Sequence, residues 1–176
     1  MKRNASRAAV VLTALAWAAS TAAAQPSGAG IEKIAAYAGT WHSRTVHYKT
    51  AYSTARVETA SVRNDCWRSA GYYACDQFVN GPSAALIVYT YDAKRDLYHT
   101  SAIPPGGSTA SSGELKIAGN TWTFPWTDRQ KGKIVYARVV NVFRNADTID
   151  FREEFSLDDA HWITTAIGVE HRVASP

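Results

Sequence analysis

The only two cysteines of the chain, Cys66 and Cys75, are nine positions apart and enclose Ser69-Ala70-Gly71, a turn signal with a glycine free to take positive φ. If Ala70-Gly71 is a two-residue turn, residue 69 opposes 72, 68 opposes 73, 67 opposes 74 and Cys66 opposes Cys75. Opposed residues of a hairpin have Cβ atoms about 4.5–5.5 Å apart, so a disulfide needs little movement. A ring this small constrains the unfolded chain by about 2.5–3 kcal/mol. The alternative is two buried thiols that never meet. The bridged reading sets the class of the chain: oxidised, exported and built of β-strands.

The N-terminus points to the same compartment. Lys2, Arg3 and Arg7 form a basic segment, Ala8 to Ala19 is an apolar run, and Ala22-Ala23-Ala24 gives a small-x-small cleavage pattern before Gln25. Residues 1–24 therefore read as a signal peptide, and the run is too short for a membrane span of about 20 residues. An N-terminal membrane anchor is the competing reading. Removing three basic residues and no acidic one takes the formal charge from +4 to +1. A chain near neutrality has no electrostatic case for nucleic acid or an anionic membrane surface. The expected location is periplasmic or secreted, with no membrane span after signal removal.

Residues 25–176 read as a single domain. Residues 31–38 suit two helical turns. Strand patterns then cover 39–49, 55–67, 72–80, 84–91, 96–103, 113–118, 121–127, 133–144, 148–156 and 161–173. Most connections are tight turns such as Gly119-Asn120 and Asn145-Ala146-Asp147. So many strands joined in sequence suggest an all-β, antiparallel up-and-down barrel of about 8–10 strands, which removes its edges by closing. A two-sheet sandwich is the alternative.

Facing can be followed through three hairpins. A turn at Gly119-Asn120 sets Ile117 opposite Trp122, and Trp122, Phe124 and Trp126 form the apolar face of their strand. An odd-length connection carries that face to Ile134, Tyr136, Arg138, Val140 and Val142. A turn at Asn145-Ala146 then sets Arg138 opposite Glu153 on the inner face. Buried charges must be paired, and such a pair often stabilises no more than apolar residues would. Arg138 and Glu153 are thus candidates for holding a polar group of a ligand, with Trp122, Trp126, Tyr136 and Tyr89 lining the cavity. Two readings compete: an ion pair that only fills the barrel, and a register slip that turns one partner outward. The aromatic stripe also has a bland reading as core.

His42, His47, His99, His161 and His171 show no metal-ligand spacing, so no metal site is expected. His161 opens the last strand and could serve as a lone axial haem ligand, but the expectation is no cofactor. Nucleophile signatures and Gly-rich phosphate loops are missing.

Gly39-Thr40-Trp41 follows the helical lead-in and opens the first strand. It resembles the Gly-x-Trp motif of lipocalins and related calycin barrels. The resemblance implies that Trp41 closes one end of the barrel and that Arg172, on the last strand, packs over it. Residues 64–69, 85–92, 119–126 and 138–143 resemble a family of exported bacterial lipocalin-like proteins, which implies fold and compartment and leaves the activity open. The function expected is binding of a small, largely apolar or amphipathic molecule inside the barrel. The alternatives are a cyclase, isomerase or lyase using Arg138 and Glu153, and a module that binds protein through loops 104–112 and 127–133.

Overall fold

The computed structural model describes residues 29–51, 53–107, 110–130 and 132–174. The expected signal peptide lies outside the described residues. A 3-10 helix, Gly30–Tyr37, leads into ten strands: β1 Gly39–His47, β2 Arg56–Arg68, β3 Tyr73–Val79, β4 Ser83–Asp92, β5 Leu97–Ile103, β6 Ser111–Ala118, β7 Thr121–Gln130, β8 Lys133–Asn145, β9 Thr148–Ser156 and β10 Ile163–Arg172. Each strand pairs antiparallel with the next in sequence, and β1 pairs with β10, so the sheet is a closed barrel. Closure leaves no edge strand to be protected. Among the described residues, no helix is long and apolar enough to cross a membrane.

The cysteine hairpin has the expected register. Arg68 opposes Tyr73, Trp67 opposes Ala74, and Cys66 opposes Cys75, to which it is bridged. The Ser69 amide donates to the Tyr72 carbonyl at 3.0 Å and closes the turn.

The helix shuts one end of the barrel. Ile34 is fully buried against the core. Tyr98 Oη donates to the Gly30 carbonyl at 2.6 Å, Trp41 Nε1 donates to the Tyr37 carbonyl at 3.0 Å, and Arg68 pairs with Glu32 at 2.8 Å. Beneath it, Trp41, Tyr98, Leu115, Trp122, Phe143 and Ile149 are almost wholly buried. Trp41 opposes Arg172 in the β1–β10 ladder, and the guanidinium covers the indole. The arginine also donates to the carbonyls of Ala36, Ala38 and Ala146. Gly39 makes this possible: its φ is +107°, and a Cβ there would lie 2.9 Å from Arg172 Nη1.

Two registers differ from the expected ones. β7 runs on to Gln130, which pairs with Lys133, so the connection is even-length. Trp122, Phe124 and Trp126 therefore oppose Asn141, Val139 and Ala137, and Tyr136, Arg138, Val140 and Val142 face outward. The β8–β9 ladder shifts between Phe143 and Asn145, so that Phe143 opposes Ile149 and Val139 opposes Glu153. The second difference offsets the first. Ile149, Phe151, Glu153 and Phe155 keep the inward face expected for them, while β8 is turned over. Arg138 opposes Glu154, and Arg138 and Glu153 stand on opposite sides of the wall.

Candidate functional site

Alternation along β10 sets the chemistry of the interior. Because Arg172 points inward over Trp41, Glu170, Gly168 and Ala166 share its face. Glu170 sits between Ser43 of β1 and Ile149 of β9. It borders an inner chamber of about 240 Å3 whose apolar wall includes Val62, Ile87, Tyr89, Phe124 and Val139. Tyr37, Asn64, Gln77 and Asn141 supply its polar side. A larger outer chamber of about 880 Å3 adjoins it. Both are bordered by Ile87, Tyr89 and Phe124. The outer chamber continues to Thr100, Ala102, Gly113, Trp126 and Ala137. It also reaches outward-facing Pro125, Tyr136 and Trp162, beside the β6–β7 ladder, which registers only Lys116–Thr123, Ile117–Trp122 and Ala118–Thr121. Pro125 has no N–H to extend that ladder.

The polar side is organised by the helix. Asn141 Nδ2 donates to Tyr37 Oη at 2.6 Å, Asn64 Nδ2 to the Tyr37 carbonyl at 3.1 Å, and Gln77 Nε2 to Asn64 Oδ1 at 3.2 Å. The Tyr37 ring packs edge-on to Trp122 at 4.9 Å and against Phe143 at 5.5 Å. Trp122 Nε1 is buried with no hydrogen-bond partner among the described residues. Burial, then the neighbouring Tyr89, hold the Tyr37 phenol well above its ordinary range, and the Asn141 hydrogen bond only partly opposes this. Burial alone raises Tyr89.

Glu170 is the exception among these groups. Glu170 is partly buried: its carboxyl makes no hydrogen bond or ion pair with any described residue, and desolvation pushes its pKa up to about 7. Among the described residues, no lysine, arginine or histidine borders either chamber. The group therefore changes charge near neutrality inside an aromatic cavity, a combination typical of functional sites. The sequence reading missed it, although a signal was present: placing Arg172 inside the barrel places Glu170 inside as well.

Among the residues singled out from sequence, Tyr89 borders both chambers and Trp126 the outer one, where it is 46% exposed. Trp122 lies under Tyr37, with no exposed surface. Glu153 faces inward between Val139 and Ala166. Arg138 is on the outer face, where its Nε donates to Glu154 at 2.6 Å and its guanidinium lies 3.8 Å over the Trp162 ring. Arg152 donates to the other Glu154 oxygen at 2.9 Å. Burial pushes the Glu154 carboxyl up, but hydrogen bonds and charge from Arg138 and Arg152 outweigh it and leave the pKa below the ordinary value. Tyr136, on the same outer face, opposes Ser156 and Thr127. His161 is solvated at the outer surface and bonds Asp158 at 2.7 Å, which raises its pKa. Among the described residues, no group of three His, Cys, Asp or Glu is placed to hold a metal ion.

No family model matches the chain, and no curated protein matches it. Among solved structures, the crystal structure of Rv2717c from M. tuberculosis superposes on 82% of this chain and 97% of that one, with TM-score 0.49 and 10% sequence identity. A likeness at that level carries no argument about the site.

Proposed function

We propose that the chain is an exported barrel protein that binds a small, largely apolar molecule in its interior. The observation that carries this reading is the pair of adjoining chambers under a closed end, about 240 and 880 Å3, walled by aliphatic and aromatic side chains with polar groups at one side. Small-molecule sites have this form: a mostly apolar cavity of some 300–1,000 Å3 with a few polar groups that fix orientation. Tyr89, Phe124 and Trp126 supply contact area, and Tyr37, Asn141 and Glu170 supply the orienting groups. Export is supported by the Cys66–Cys75 bridge, since disulfides persist in oxidising compartments. An enzyme working through Arg138 and Glu153 together lacks the needed geometry, because the barrel wall separates them.

The test is direct. The protein is purified without denaturation from its native host and its extract examined by mass spectrometry. A single small molecule near one equivalent is expected, and an extract with none, together with no uptake of the neutral fluorophore N-phenyl-1-naphthylamine, overturns the binding reading. Intact mass of the same sample, alkylated with and without reductant, is expected to show a start near Gln25 and a bridged pair. Retained residues 1–24 or two free thiols would remove the case for export.

A further inference from the structure

We propose that the inner chamber recognises a protonated amine, with Glu170 as its counter-ion and the rings of Tyr37, Tyr89 and Phe124 around it. This rests on the binding reading above and adds the charge of the ligand to it.

A carboxylate taken out of water without a partner is costly, so proteins pair such groups or keep them protonated. Glu170 has no partner among the described residues, and it borders the inner chamber. Among the described residues no cation lines the chamber; His47, on the same inward face of β1, lies beyond it opposite Ala166 and pairs with Glu58 at 3.4 Å. Arg172, the next inward residue of β10, is committed to the carbonyls of Ala36, Ala38 and Ala146, to Asp147 and to the Trp41 ring. The other titratable groups facing the chamber are Tyr37 and Tyr89, both held neutral by burial. Beside Glu170, Ser43 on β1 and Ile149 on β9 carry no charge, and the inward carboxyl of Glu153 stands further along β9, opposite Ala166.

The remaining lining suits an ammonium group. Aromatic faces attract a cation through their quadrupoles. Gln77 and Asn141 border the chamber, and their side-chain oxygens accept no hydrogen bond from the described residues, so they can accept N–H donors of a ligand. A carboxylate or phosphate finds no basic group here and is repelled by Glu170, which argues against fatty-acid-like ligands. An alcohol could only exchange hydrogen bonds with the same groups.

The test compares octylamine, octanol and octanoate as competitors of N-phenyl-1-naphthylamine on the full exported protein with its disulfide intact. Octylamine is expected to displace the fluorophore at a concentration at least about tenfold lower than octanol, as a charge-assisted contact implies, with octanoate the weakest. In Glu170→Gln, which keeps the shape and removes the charge, the preference for amine over alcohol, taken as the ratio of the two competitors against the variant's own fluorophore affinity, should collapse. The second arm needs no variant. Alkylamines stay protonated between about pH 5 and about pH 8, so the amine preference of the unaltered protein should fall as Glu170 takes up its proton, with octanol unchanged. If the extract holds no small molecule and the fluorophore does not bind the unaltered protein, the cavity reading fails and the amine site with it. If it binds but octylamine gains nothing over octanol, or the gain survives in Glu170→Gln or at low pH, the amine site alone is overturned.

Discussion

The guanidinium carbon of Arg172 lies 4.1 Å from the centroid of the Trp41 ring, joining the last strand to the first beneath the helix. The contact combines a cation–π attraction of about 0.5–2 kcal/mol with the satisfaction of three backbone carbonyls. Trp41→Ala should lower the unfolding free energy by about 3–5 kcal/mol as a core truncation. Arg172→Met should cost less, about 2–3 kcal/mol, because its aliphatic part still covers the ring. Denaturant midpoints check both, and unchanged midpoints would make this end of the barrel dispensable.

On the outer face, the expected outcome for the Arg138–Glu154 contact is structural. Glu154 is 9% exposed and accepts from two arginines, whereas Arg138 and Arg152 keep solvent access. Glu154→Leu should cost about 1–3 kcal/mol, less than for a wholly buried pair, and adding Arg138→Met should recover part of it. Because the Glu154 pKa is lowered in the fold, its contribution is present above its unfolded value of 4.5 and is lost as pH falls through the folded value. Fluorophore binding should stay unchanged in the double variant. A fall in binding with normal melting would return Arg138 to the site.

Much of this architecture could be read from residues alone, and the failures have physical causes. The Cys66–Cys75 register followed from Ala70-Gly71, because a two-residue turn leaves one pairing open to the flanking strands. Arg172 over Trp41 came instead from the resemblance of Gly39-Thr40-Trp41 to the lipocalin motif, not from spacing or periodicity. The face of β8 did not follow, because Ile134 to Phe143 is apolar on both sides apart from Arg138 and Asn141. A strand patterned that way does not declare its register, and one residue in a loop turns the whole strand over. β9 was placed correctly because the shift between Phe143 and Asn145 restored the parity. Glu170 was missed for another reason. In Val169-Glu170-His171-Arg172 the polar residues run together, which looks like a solvated strand end until Arg172 is assigned inward.

Gly168 gives a test of how tightly β10 is packed. A Cβ at this position would collide with the Phe151 ring and lie 2.7 Å from the Arg44 carbonyl oxygen. Gly168→Ala should therefore destabilise by about 1–3 kcal/mol. Combining it with Phe151→Leu should restore only part of the loss, because the carbonyl cannot withdraw as a ring can. Thermal melting of the two variants decides this, and a neutral Gly168→Ala would mean that β1 and β10 are further apart than described.

The pH dependence of stability follows from Glu170. Its pKa is about 7 in the fold against 4.5 for the free side chain. Between these values the folded protein holds a proton that the unfolded chain has released, so stability falls as pH rises through the window and is level above it. The difference corresponds to about 3 kcal/mol at full effect. Glu170→Gln removes the titration without removing the shape. It should leave stability nearly unchanged below about pH 4.5 and raise it increasingly toward about pH 8, where the unaltered protein carries an unpaired carboxylate. Octylamine should narrow that gap by pairing with the carboxylate, and so raise the melting temperature of the unaltered protein at about pH 8 more than that of Glu170→Gln. Unfolding curves at several pH values, with and without the amine, measure both effects. Parallel pH profiles for the two proteins would mean that Glu170 is solvated in the fold and has no need of a partner.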